Sequence, residues 1–167
     1  MQVANGEEAM PIVPTLQPPS SELRQQAFTV TPGQLGLSEK NTGPVWGVIM
    51  ETGYSEALVS LVVFAEGTTS IYFGNGGGVI GAGEHQPVRA AGRKLLIQAA
   101  EHLSQLLPVA SPVLPRVGEV RFYFFTYSGL RGASANEEVL GAGHHPLSIV
   151  FYAAHDVITQ VRETSPK

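Results

Sequence analysis

Hydrophobic and polar positions alternate, or the hydrophobic ones form short runs, over three segments in the middle of the chain. These segments span residues 45–52, 57–66 and 69–73, and turn-forming residues separate them at 53–55 and 67–68. Alternation with a period of two is typical of strands, and a nearly continuous apolar run such as 57–66 is typical of a central strand buried on both faces. The pattern therefore predicts a three-stranded meander.

A helical period governs two later segments, 87–107 and 146–162. In the first, the apolar stripe consists of Val88, Ala91, Leu95, Ala99, Leu103 and Leu106. In the second, it consists of Leu147, Val150, Phe151, Ala154, Val157, Ile158 and Val161. Apolar residues that recur every three or four positions predict two amphipathic helices packed on the sheet. A shorter helix is predicted at 21–28, with Ser20 or Ser21 as its N-cap.

Between the two long helices, a proline-rich stretch predicts an extended connector, and a fourth strand follows it at 119–127. The element order β-β-β-α-β-α predicts an α+β fold, in which a four- to five-stranded antiparallel or mixed sheet is covered by two long amphipathic helices. A right-handed crossover places the fourth strand beside the first and parallel to the third. In that arrangement, two glycine-rich loops leave the same end of the sheet.

The composition limits the number of domains and the classes of partner that the chain can bind. A length of 167 residues suits one domain, assigned to 20–167, and the proline-rich, aperiodic residues 1–19 predict a flexible tail. A formal charge of −4 with scattered basic residues argues against nucleic-acid binding. The longest apolar run is too short for a membrane helix, and the first residues lack the features of a signal peptide, so a cytoplasmic location is expected.

The two glycine-rich loops, 74–87 and 139–146, are the most unusual feature of the sequence. Residues 76–81 satisfy the pattern G-x-G-x-x-G, which in dinucleotide-binding folds brings the backbone close to a pyrophosphate. The strand before this motif lies in a meander rather than in a βαβ unit, and the helix begins several residues after the last glycine. A dinucleotide site is therefore disfavoured, and a P-loop is disfavoured because no Gly-Lys-Ser/Thr follows.

A site for a small anion at the helix starts is the more defensible hypothesis, because backbone N–H groups there carry partial positive charge. The candidate binding residues are Gly76, Gly77, Gly78, His85, Arg89, Arg131, His144 and His145. The competing interpretation is that the glycines serve tight turns and that the histidines cap or pack.

Catalytic and metal sites find little support in the sequence. The chain has no cysteine, which excludes thiol nucleophiles, disulfides and cysteine-based metal sites. Imidazole ligands suit several transition metals, and His85, His144 and His145 are the candidates for a three-histidine site. Adjacent histidines rarely point the same way, so no metal and no cofactor are predicted. Neither Ser128 nor Ser134 stands in a nucleophile elbow, and enzymatic activity stays an open question with no catalytic residue assigned.

Three stretches carry a resemblance: residues 46–54, the loop 74–85, and residues 127–131. Together they resemble a family of bacterial conserved proteins without assigned function, over about residues 45–163, and that resemblance implies no activity, cofactor or catalytic residue. The element order is similar to that of small profilin-like or roadblock-type modules, which act by dimerising and docking partners.

The favoured function is that of a non-enzymatic interaction or scaffold module that self-associates as a homodimer and can bind a protein partner. Its support is the lack of a catalytic constellation, the low content of charged residues (14%) and a hydrophobic content of 43%. The alternative is a small anionic-ligand site formed by the two glycine-rich loops, with or without hydrolysis of that ligand.

Overall fold

A computed structural model describes residues 18–165 of the chain, with side chains from 21 onward. The predicted tail at 1–19 lies outside these residues, apart from the backbone of 18 and 19. The fold class is α+β, as predicted. Five helices and one open antiparallel sheet of seven strands make up the described part.

The sheet contains more strands than predicted. Its strands are β1 (Val45–Gly53), β2 (Leu58–Phe64), β3 (Thr69–Phe73), β4 (Gly78–Val79), β5 (Leu107–Pro108), β6 (Glu119–Thr126) and β7 (Gly129–Asn136), in the spatial order β4-β3-β2-β1-β6-β7-β5. The predicted meander is confirmed as β1, β2 and β3, and the predicted fourth strand as β6. The expectation of four or five strands is wrong, because β7 forms in a segment where no strand is predicted and two-residue strands close both edges.

The direction of β6 also differs from the prediction. This strand lies beside β1, as expected, but it runs antiparallel to β1 and therefore antiparallel to β3. The reason is the connector before it, which ends beside the last residue of β1: the Gly118 N–H donates to the Gly53 carbonyl at 2.8 Å. A strand that begins where its neighbour ends must run the opposite way.

The helices are α1 (Pro18–Thr29), α2 (Glu39–Thr42), α3 (Gln86–Glu101), α4 (Glu137–Gly141) and α5 (Ser148–Thr164). The two long amphipathic helices predicted from the period are α3 and α5, which pack against each other and against one face of the sheet. Helix α3 stops at Glu101 rather than near residue 107, because a 3-10 turn follows and Leu107 joins the sheet edge in β5.

The sheet separates two apolar cores. The pattern predicts burial on both faces only for the strand at 57–66, which is confirmed, and it predicts no helix over the second face. The face under α3 and α5 buries large side chains such as Phe122, Phe124 and Leu95. The opposite face buries Trp46, Ile49, Val62, Phe64, Tyr123 and Phe125 together with Ala27. Because Ala27 belongs to α1, a third helix covers the sheet, and the prediction of two covering helices is incomplete.

Two glycines allow α3 and the segment before it to lie close to the sheet. The backbone of Gly83, just before α3, lies against the carbonyl oxygen of Gly67 in the β2–β3 turn, and a Cβ atom on Gly83 would overlap that oxygen. Gly92, inside α3, is buried, and a Cβ there would lie 3.2 Å from Cγ1 of Val63. A close approach of the helix to the sheet therefore explains both glycines.

We expect the substitution Gly83→Ala to lower the free energy of unfolding by about 2–3 kcal/mol or more, because the added methyl group meets rigid backbone. Gly77→Ala is the matched control: it lies in the same loop, is exposed, and its added Cβ would make an ordinary contact at 3.6 Å with Phe73. Urea denaturation of both variants measures the difference. Equal stability of the two variants would contradict the proposed contact.

Candidate functional site

The predicted glycines Gly76, Gly77 and Gly78 form the turn between β3 and β4 and the start of β4. Gly76 has a φ of 107°, a conformation that favours glycine. The three residues do not lie at the N-terminus of α3, because β4 carries the chain back along the sheet before that helix begins. Their positions agree with the interpretation that the glycines serve a turn.

The predicted histidines lie at the starts of the two long helices but make different contacts. His85 is exposed at the N-cap of α3 and its side chain makes no capping bond. His145 is half-buried, and its Nδ1 accepts a hydrogen bond from the Leu147 N–H at 3.0 Å. His144 is exposed. One of the three histidines therefore acts as a local cap, as the competing interpretation expects.

The two groups of predicted residues are far apart. His85 follows the segment that packs on the Gly67 turn, whereas His144 and His145 follow α4, which continues β7. Strands β3 and β7 are separated by three other strands, a span of about 19 Å at the usual strand spacing. Asn136, at the end of β7, lies at the opposite end of the sheet from Gly67. The structure therefore does not bring the two loops into one site.

The predicted arginines also lie apart. Arg131 is half-buried on β7 and donates from one Nη to the Leu106 carbonyl at 3.3 Å. Arg89 is exposed on α3, and its Nε lies close to the Gly67 turn. Within residues 18–165, no group of three histidine, aspartate or glutamate side chains is arranged to hold a metal ion.

A buried ion pair, which the sequence analysis does not predict, lies on the face of the sheet that α1 covers. Glu51, on the central strand β1, has no exposed surface. Arg24 of α1 donates from Nε and from Nη2 to the two carboxylate oxygens at 2.6 and 2.8 Å, and Ser60 donates its hydroxyl to the same carboxylate at 2.6 Å. The sequence signal for this site is a glutamate inside an apolar strand. No local sequence pattern identifies its partner on α1.

A cavity of about 380 Å³ adjoins this ion pair. It lies between α1 and the start of the glycine-rich loop, and its polar lining consists of Ser21, Arg24, Glu56, Ser60, Tyr72 and Asn75. The apolar side chains of Leu58, Phe73 and Leu114 complete the wall. Glu56 lies in the wall of the cavity and Glu51 lies directly behind it, so two carboxylates face the single guanidinium group of Arg24. This balance of charge does not favour the binding of an anion.

The larger concave surface is an open groove of about 500 Å³ between α3 and α5, on the side that faces away from the sheet. It is lined by Pro87, Ala90, Ala91, Lys94, Gln98, Ile149, Tyr152, Ala153, Asp156, Thr159 and Gln160. Three alanines form its floor, while Ile149 and Tyr152 are 52% and 43% exposed at its edge.

No family model, no curated protein and no solved structure matches the chain. The resemblance to a bacterial family of unassigned function stays a prediction. Among residues 18–165, no helix is long and apolar enough to cross a membrane.

His155 of α5 has a perturbed environment next to the groove. Its Nε2 is buried without a hydrogen-bond partner among the described residues, and its ring packs 4.4 Å from that of Phe151. Burial lowers the pKa of His155, and the positive charge of Arg162 lowers it further, against the opposing effects of Glu137 and Asp156. The neutral imidazole is therefore the form that the fold stabilises.

We expect Arg24→Met to destabilise the protein by about 3 kcal/mol, because it leaves the buried carboxylate of Glu51 without its counter-charge. Glu51→Gln should cost less, since the half-buried Arg24 can still reach water. In the Glu51→Gln background, Arg24→Met should then have a much smaller effect. A double-mutant cycle measured by urea denaturation tests this coupling, and additivity within about 0.5 kcal/mol would contradict it.

The pKa of His155 predicts a pH dependence of stability. Because its pKa in the folded protein lies below the unfolded value of about 6.5, the unfolded state binds more protons between the two values. The contribution of His155 is thus complete above about pH 6.5 and is lost as the pH falls toward the folded pKa. We expect His155→Phe to lose less unfolding free energy than the wild type between about pH 7.5 and 5.0. Parallel pH profiles would contradict this expectation.

Proposed function

We propose that the protein is a non-enzymatic interaction module that self-associates through the groove between α3 and α5, with a second copy of the same chain as the occupant. The observation that carries the proposal is the groove itself, where exposed aliphatic and aromatic side chains surround a floor of alanines. Large apolar side chains around a small-residue floor suit the insertion of a partner's side chains.

The charges in the groove support a second copy as the partner. Lys94 lies on the α3 wall and Asp156 on the α5 wall, both are exposed, and neither forms an ion pair within residues 18–165. A two-fold axis uses the same surface on both copies, and an axis that runs along the groove between the two helices places α3 of one copy opposite α5 of the other. Lys94 of each copy then faces Asp156 of the second copy, and one groove supplies both halves of two ion pairs.

A groove with two opposite charges is therefore complementary to itself. A surface made for a partner of one predominant charge would instead carry a single sign. Ile149 and Tyr152 supply the apolar centre that such an interface needs, while Lys94 and Asp156 set the register of the two copies. A stable interface of this kind typically buries about 800 Å² on each copy.

The alternative of one anion site built from both glycine-rich loops has less support, because His85 and His145 lie at opposite ends of the sheet. His145 also uses its Nδ1 as a cap, so that ring nitrogen already has a hydrogen-bond donor.

The test of self-association is a charge exchange. At about 100 µM, where a complex with a Kd near ~10 µM is mostly assembled, sedimentation velocity should show a dimer for the wild type. Lys94→Glu and Asp156→Lys should each shift the protein toward the monomer, because each places like charges opposite one another. The double variant should restore the dimer, since the pairs are re-formed with their signs exchanged.

Lys40→Glu is the matched control, because it changes the charge equally on an exposed position of α2 that does not line the groove. It should leave the dimer unchanged. A wild-type monomer at that concentration would overturn the proposal, and a dimer that survives both single substitutions would place the interface elsewhere. Thermal unfolding of each variant confirms that the fold is intact.

A further inference from the structure

The side of α3 opposite the groove carries a second concave surface. A cavity of about 200 Å³ lies between this helix and the β2–β3 turn. Its lining consists of Val63, Phe64, Ala65, Glu66, Gly67, Thr69, Arg89, Gly92, Arg93 and Leu96. Residues 89, 92, 93 and 96 of α3 face it, whereas residues 87, 90, 91, 94 and 98 face the groove. The two surfaces therefore use different sides of one helix.

From this cavity we infer a binding site for a phosphate-type oxyanion, held by the guanidinium groups of Arg89 and Arg93. The two arginines are four positions apart on α3, so they are neighbours on the helix surface. Neither side chain forms a hydrogen bond or an ion pair within the part of the chain that the structure describes. Arginine presents a planar set of donors that matches the oxygens of phosphate and carboxylate groups.

The charge balance of the cavity selects an anion. Glu66 is the one carboxylate in the lining, and its Oε1 already accepts the Thr68 N–H at 2.6 Å. Two arginines against this glutamate leave one net positive charge. The cavity beside Arg24 has the opposite balance, with Glu51 and Glu56 around a single arginine. Electrostatics therefore distinguishes the two cavities and assigns the anion to the one beside Arg89.

The position of the cations along α3 also supports an anion site. The first turn of the helix contains no acidic residue, although acidic residues are favourable there, and Arg89 lies at the end of that turn. Arg93 and Lys94 follow one turn later. Like charges at positions 89 and 93 repel each other by a few tenths of a kcal/mol on an exposed helix. A bound oxyanion between the two guanidinium groups removes this repulsion.

The turn opposite the arginines leaves space for a ligand to approach. Gly67 has a φ of 117°, and a Cβ atom on it would lie 3.7 Å from Nε of Arg89. The absent side chain keeps this space free. The backbone N–H of Gly67 donates to the Phe64 carbonyl at 3.0 Å, so the turn does not supply its own amide to the ligand. Binding therefore depends on the two arginines.

The probe for this site is inorganic phosphate, titrated into the full chain and followed by ¹⁵N–¹H NMR at constant ionic strength with chloride as the reference anion. We expect saturable shifts at the amides of Gly67, Thr68 and Thr69, with a Kd of about 1 mM. Arg89→Gln with Arg93→Gln should weaken the binding at least about tenfold. Arg89→Lys with Arg93→Lys should bind with intermediate strength, because the charge remains but the paired donors are lost.

Lys40→Gln with Arg162→Gln is the matched control, since it removes two exposed cations that do not line the cavity. This variant should bind phosphate as the wild type does. Shifts that chloride reproduces, or a double-glutamine variant that responds like the wild type, would overturn the inference. The result does not depend on self-association, because residues 89 and 93 face away from the groove.

Discussion

The carboxylate of Glu51 is the constraint on which the arrangement of this domain depends. It lies without exposed surface on the central strand, and burial of an unpaired charge costs several kcal/mol. Arg24 and Ser60 meet that requirement with three short hydrogen bonds, and Arg24 can do so only when α1 lies across the sheet. The ion pair therefore fixes the position of α1. Its net gain over an apolar pair is small, because both charges lose water, so its main effect is to specify one position for the helix.

With α1 in this position, helices cover both faces of the sheet. The two faces differ in the side chains that they bury. The α1 face is rich in aromatic side chains, with Trp46, Phe64 and Phe125 in mutual contact at ring distances between 5.0 and 5.6 Å. The other face buries mainly aliphatic side chains under α3 and α5, together with Phe122, Phe124 and Phe151. Because α3 and α5 also contact each other, their remaining sides face solvent, and the groove forms between them.

The parts of the fold that could be predicted are those whose apolar residues are large and periodic. Strands β1, β2, β3 and β6 and helices α3 and α5 were predicted because each repeats bulky side chains at its own period. Strand β7 was missed because its sequence, with Gly129, Gly132, Ala133 and Ala135, has no large apolar face, and its pairing with β6 is determined by the neighbouring strand. Strands β4 and β5 contain two residues each and leave no pattern. At the candidate sites, arginine and histidine could be identified by type, but the pairing of Arg24 with Glu51 spans 27 positions and depends on tertiary structure.

Helix α3 shows why residue type alone does not locate a site. Its buried positions, Val88, Leu95 and Ala99, follow the apolar stripe and need no functional explanation. Among its exposed cations, Arg89 does not follow from the fold, because a positive charge at the end of the first turn opposes the macrodipole and adds nothing to the core. Proteins tend to break local rules of this kind where function requires it. The cations also divide between two surfaces, with Lys94 facing α5 and Arg89 and Arg93 facing the Gly67 turn. A substitution at Lys94 should therefore affect association without affecting anion binding, and this separation follows from the helical period rather than from distance along the chain.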